Sequence, residues 1–244
     1  MTRAFRKRLQ RLLQSRPPAI RRGDAQLELA DQIYADQYRA ALEILAHLDE
    51  DSAPQVARAL GQSLIEGAER ARRSGHELLP QLASQMHCRQ SCSWCCHQAL
   101  GIHVLDAVNL ASALTGPPLD YQVSSRERSQ LRRDFRPCPV LQQGLCSAYG
   151  SRPVICRAYH STDLEVCRQI VESRQEQRQV PMELLHYGLV GLAQEAVLSL
   201  FEQLGVDRRP VVLGLAVAAL QRDFEGMTRN WLLGGDAFDP LVVL

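Results

Sequence analysis

Residues 88–96 read CRQSCSWCC, and residues 138–167 read CPVLQQGLCSAYGSRPVICRAYHSTDLEVC. Together the two stretches hold all eight cysteines of a 244-residue chain. The first crowds Cys88, Cys92, Cys95 and Cys96 together. The second spreads Cys138, Cys146, Cys156 and Cys167 across a run punctuated by Pro139, Gly144, Gly150 and Pro153, with no helical apolar period, and so reads as loops and short turns. On both sides of this region apolar residues recur at three- and four-residue steps. The expected fold class is therefore mainly α: a helical, bundle-like scaffold around an irregular, loop-rich cysteine core that binds metal.

Working outward, Asp24 is placed to cap a helix carrying Leu27, Ala30, Tyr34, Tyr38, Ala41, Leu45 and Leu48, closed by Asp49, Glu50 and Asp51. Ser52, with Pro54 just inside, opens a second helix that Ser74 and Gly75 end. Past the first cysteines, IHVLDAVNLASAL (102–114) reads as a strand-like entry and a short helix. Ser124 and Glu127 form a capping box before a basic helix, RERSQLRRDF, bearing Arg126, Arg128, Arg132 and Arg133, with Arg136 just beyond; such a face is usually solvated. Thr162 and Glu165 form a second box, which puts Cys167 in the first turn of a helix running to about Gln179. Pro181 starts another, with Leu184, Leu185, Leu189, Leu192, Val197, Leu200, Phe201 and Leu204 facing inward, and Pro210 to Phe224 supply a last apolar helix. This divides the chain into a basic arm (1–22), an N-terminal helical region (23–86), the cysteine core (87–168) and a C-terminal helical region packed on it (169–244).

The net charge of +1 hides a split. Up to Arg22 there are eight basic residues and no acid, and the rest of the chain is correspondingly acidic. The arm has the means to touch nucleic acid, an acidic protein or anionic lipid, and Phe5, Leu9, Leu12 and Leu13 share one face if it is helical. Packing on its own acidic body, or fraying, is the commoner fate of such a terminus. All but Lys7 of the 28 basic residues are arginine, the mark of a high-GC, bacterial coding composition. The arm has no apolar core of a secretory signal, so a cytoplasmic location is expected. The longest unbroken apolar run, Val211 to Leu220, is about half of the ~20 residues a bilayer crossing needs, and no membrane span is expected.

Clustered cysteines in a reducing compartment point to metal or redox work rather than to disulfides. Thiolates select zinc or iron–sulfur centres among common metals. Adjacent side chains such as Cys95 and Cys96 diverge from one backbone, which makes a shared grip on one ion awkward; the eight thiols suit two four-cysteine sites or one cluster with spare redox cysteines, as one composite centre or two adjacent ones. The candidate metal residues are therefore Cys88, Cys92, Cys95, Cys96, Cys138, Cys146, Cys156 and Cys167, with the two sets expected to converge. Arg152 and Arg157 are candidates to offset the negative charge of a multi-thiolate centre, as cofactor-binding residues. His87, His97 and His160 flank the cysteines as substitute ligands or hydrogen-bond partners; Trp94 and Tyr149 are placed to shield the site from water. His47, His76, His103 and His186 read as structural. Cys92 and Cys95 also form a CxxC dithiol, but its helical surroundings are not a thioredoxin-like βαβ unit. The CxxxCxxC spacing of Cys88, Cys92 and Cys95 is shared with radical SAM enzymes, whose alternating strands and helices are missing here.

In their order, these motifs resemble the YkgJ family of cysteine-cluster proteins, which carry the CxxCxxCC zinc- or iron-chelating domain. The resemblance rests on Cys88, Cys92, Cys95 and Cys96, then Cys138-Pro139 with Leu141, Gly144 and Cys146 with Tyr149, then Arg152-Pro153, Cys156-Arg157 and the trailing Cys167. The gap of three residues between Cys88 and Cys92 departs from the family's two. What the resemblance implies is a metal-binding protein, iron–sulfur or zinc, of a redox or group-transfer kind. The alternative is a non-catalytic module in which zinc knits loops together for structure or interaction.

Overall fold

A computed structural model of the chain describes residues 2–16, 18–89, 91–124, 135–175 and 178–243. It is about 60% helical, with ten α-helices among the described residues, and the mainly α expectation holds. The basic helix expected over RERSQLRRDF (126–135) lies, up to position 134, outside the described residues.

Three long helices form the heart: α2 (Ala25–Leu45), α3 (Ala53–Leu78) and α8 (Leu184–Leu204), each packed against the other two. Their contact faces are rich in small residues, including Ala35, Ala41, Ala57, Ala68, Ala193 and Ala196, all fully buried, which lets the backbones approach closely. Gly67 carries this furthest. A Cβ there would sit 1.8 Å from Oε1 of Gln37, a buried amide of α2 that also donates to Ser63 Oγ across the helix interface.

Asp24 caps α2 as its position implies, accepting from the amides of Gln26 and Leu27. Ser52 precedes α3 but does not cap it; its hydroxyl accepts from the Asp49 amide and donates to the His47 carbonyl, tightening the α2–α3 turn instead. The helix also runs three residues past the Ser74–Gly75 stop. Gly75 is a packing position there, buried against Leu189 of α8, and not a terminator.

The N-terminal arm folds as α1 (Arg3–Leu13) and lies on α2 and α8, with Phe5 and Leu9 buried, Leu12 partly so and Leu13 turned outward. After the short α4 (Gln81–Gln85), α5 (Val104–Ala113) on the other flank packs on α3 and on α9 (Leu213–Arg222). The single C-terminal helix expected from Pro210 to Phe224 is divided. Val211–Val212 pair antiparallel with Gly101–Ile102, α9 follows, and Asp223 then breaks the chain direction and caps α10 (Phe224–Leu232) through the Gly226 amide. Trp231 of α10 closes the core edge-to-face with both Phe201 and Phe238 and donates its indole N–H to the Asp207 carbonyl.

α8 is long and apolar enough to cross a membrane by length and composition, which the search for an unbroken apolar run overlooked because polar residues interrupt it. Half of its most apolar window is buried between α2, α3 and the rest of the bundle, as for the core helix of a globular domain. Leu184, expected inside, is instead 71% exposed: it is the first residue of α8 and faces away from the side on which His186, in the same turn, is buried.

Candidate metal centre

The cysteine region is laid across one end of this bundle. Trp94–His97 form a 3-10 turn, so Cys95 and Cys96 sit together on a tight single turn. Leu141–Gln142 and Leu145–Cys146 form a small hairpin through Gln143 and Gly144, both at positive φ. Cys156 lies not in a loop, as expected, but inside a short helix, α6 (Val154–Ala158), whose start follows Pro153. Cys167 lies in the first turn of α7 (Leu164–Glu172) as expected, although the cap is Asp163, one residue after Thr162, and the helix stops at Glu172 rather than near Gln179.

All eight cysteines are free thiols; Cys167 is buried and the other seven are half-buried. The two sequence sets come together. The Cys138 amide donates to the Cys96 carbonyl at 2.6 Å, the His87 amide donates to the Ser161 carbonyl at 2.9 Å, and α7 packs directly on the Trp94–His97 turn.

Electrostatic reach divides the thiols into two adjoining groups. Cys88 feels Cys92 and Cys167; Cys156 feels Cys138, and Cys138 feels Cys146. Cys95 belongs to both: it hydrogen-bonds to Cys96 and acts on Cys88, Cys138, Cys156 and Cys167. Burial, then neighbouring thiols, push Cys88 and Cys138 up to about 11 and Cys156 further, and the hydrogen bond with Cys96, then burial, raises Cys95. Loss of their protons is therefore costly until a cation is present, and a thiophilic metal supplies that charge. Among the described residues no three His, Cys, Asp or Glu side chains already surround one point, so gripping an ion requires thiols to turn toward it.

Arg152 is the charge nearest this need. It favours the thiolate forms of both Cys95 and Cys156, and its guanidinium lies 4.0 Å over the Tyr149 ring. Arg157 is held otherwise: it is buried, donates to the carbonyls of Arg152 and Gly150, and stands 3.8 Å from Glu69 of α3, tying the cysteine region to the scaffold. Of the flanking histidines, His160 is drawn into the interior beside His186, while His87 is exposed and His97 half-buried.

Two residues of the site escaped the sequence reading. Ser161 is buried between the cysteine sets; its amide donates to Cys88 Sγ at 3.2 Å and its side chain hydrogen-bonds Cys167. Nothing in a serine beside a histidine announces that. Asp106 is a fully buried carboxyl on α5 that accepts from the Val154 amide, at the start of α6, and from Gln194 Nε2, both at 2.8 Å. A lone acid inside the apolar run VLDAV was its available signal.

Residues 87–180 match the model of the CxxCxxCC family, described as "Putative zinc- or iron-chelating domain". That stretch, a little over a third of the chain, is similar to the CxxCxxCC domain. The match agrees with the resemblance read from the motifs, and a zinc ion or an iron–sulfur cluster fits both the domain and its donor set of free thiols. Neither the curated proteins nor the solved structures give a match to this chain.

Proposed function

We propose that the CxxCxxCC domain holds metal through thiols of both cysteine sets, in two adjoining centres that share Cys95, and that the bound form is an iron–sulfur protein of redox or group-transfer type. Cys88, Cys92 and Cys167 would serve one centre, and Cys96, Cys138, Cys146 and Cys156 the other. The observation that carries the reading is the position of Cys95, within electrostatic reach of thiols from both groups. A cluster at such a site supplies reversible electron exchange or an open coordination position for a substrate. The protein's own residues bring the thiols together, offset their charge through Arg152 and hold Cys88 and Cys167 in register through Ser161.

Seven of the eight cysteine residues are only half-buried, which favours a centre near the surface over a dry structural zinc. The structural zinc reading draws support from the way the same region stitches loops to scaffold through Cys138, Ser161 and Arg157. Metal analysis with a visible spectrum, after anaerobic purification, separates them. Iron with sulfide and a brown, visible-absorbing protein is the expected result; colourless protein with stoichiometric zinc moves the assignment to the structural module. Eight free thiols and no metal overturn both.

A further inference from the structure

Behind the cysteine region, where it meets the scaffold, lies a polar layer built from three separate elements. α3 presents Glu69, Arg72 and His76 along one face, α8 presents His186 from its first turn, and the segment around α6 contributes Arg152, Arg157 and His160. The His160 and His186 rings meet edge-to-face at 4.9 Å between centroids, and His76 lies 5.4 Å from His186. His160 is the hub, within electrostatic reach of His186, Arg152, His76 and Arg72.

Hydrogen bonding in this layer is incomplete. Five buried side-chain polar atoms lack a partner among the described residues, and four of them are here: His76 Nε2, Arg152 Nε, and both ring nitrogens of His160. Buried polar groups are nearly always satisfied, so a concentration of orphans marks a place where water, an ion or a ligand belongs. The tautomers say which. Arg72 Nη1 lies 3.4 Å from His76 Nδ1, and because a guanidinium only donates, Nδ1 accepts and the proton of the neutral ring sits on Nε2. His186 Nε2 donates to the Arg157 carbonyl at 3.0 Å and is not available. The orphans are therefore mostly donors: N–H at His76, N–H at Arg152, and one N–H and one lone pair at His160. A cation needs lone pairs, and this set has too few.

The charges agree. Glu69 is shared between Arg72 and Arg157, and no carboxylate among the described residues pairs with Arg152. We propose that the layer between α3, α8 and the segment from Tyr149 to His160 is a binding site for a small oxyanion, a carboxylate or a phosphate, held by His76, His160 and Arg152. The site adjoins the cysteine centre through Arg152 and stands whichever metal that centre carries.

The test uses the metal-loaded full chain. Thermal unfolding is followed with sodium formate, phosphate or chloride at equal ionic strength. At about a hundred times Kd, a bound oxyanion raises the midpoint on the order of 5 °C, saturably, while chloride does not. A response to formate alone identifies a carboxylate ligand, and a response to phosphate alone a phosphate one. His160→Phe and Arg152→Gln should abolish the response. Wild-type crystals grown with selenate give a reading independent of metal loss or misfolding in either variant. An anomalous peak within hydrogen-bond distance of His160 and Arg152 is expected; equal responses to all three salts, or water alone against the orphaned nitrogens, overturns the proposal.

Discussion

The amide of Cys138 donates to the carbonyl of Cys96 across 2.6 Å, joining the last cysteine of the first set to the first cysteine of the second. Forty-one intervening residues, α5 among them, loop out and return to make this contact. The two sets are therefore one structural unit.

Cys95 lies between the two thiol groups, so its loss should reach both. Cys95→Ser is expected to remove more metal per chain than Cys146→Ser or Cys167→Ser, each of which touches one group. Metal analysis of the purified variants, with thermal unfolding alongside, checks the ranking, because bound metal contributes folding energy. His47, exposed just past the end of α2, is a suitable control. His76, which its position outside the motif suggests for that purpose, is not, since its ring packs on His186 beside the domain.

Asp106 positions Cys156 through the first amide of α6. In Asp106→Asn one side-chain oxygen must serve both the Val154 amide and Gln194, and an amide group faces a donor. The expected loss is about 1–3 kcal/mol of stability, with reduced metal retention. Chemical denaturation of the metal-free protein measures the first, and metal release to a chelator the second.

Acid should weaken the layer of three histidines. Burial, then the neighbouring His186 and Arg152, pushes His160 down to about 4, and burial is also the leading cause of the lower values of His76 and His186. The folded state keeps these rings neutral while the unfolded chain protonates near the ordinary value of about 6.5. Their contribution is thus complete above that pH and is lost as pH falls from about 6.5 toward 4. Unfolding midpoints measured across that window should fall less steeply in His160→Asn than in the wild type.

Trp231 is 1% exposed and bridges Phe201 and Phe238. Truncation to alanine leaves a cavity and an unpaired Asp207 carbonyl, an expected cost of about 3–5 kcal/mol in urea unfolding. The cysteine region lies elsewhere on the scaffold, so metal per folded chain should be unchanged.

The long helices were legible because apolar periodicity and caps such as Asp24 are local signals. Gly75 and Asp223 were misread for the opposite reason. A glycine at a helix crossing looks like one at a helix end, and an acid between two apolar runs shows its capping role only once the chain turns. The cysteine region was legible as chemistry but not as shape: Cys156 lies on a helix too short to show a period. Ser161 and the His76–His160–His186 layer were invisible because their contacts join residues that are far apart in the chain.

The central claim, that both cysteine sets bind metal together, is tested most directly by thiol alkylation read by mass spectrometry on the anaerobically purified protein, before and after metal removal with a chelator. The account predicts protection of cysteines in both 88–96 and 138–167 while metal is bound, and their joint labelling once it is stripped. Full labelling of either stretch in the metal-loaded protein would contradict it.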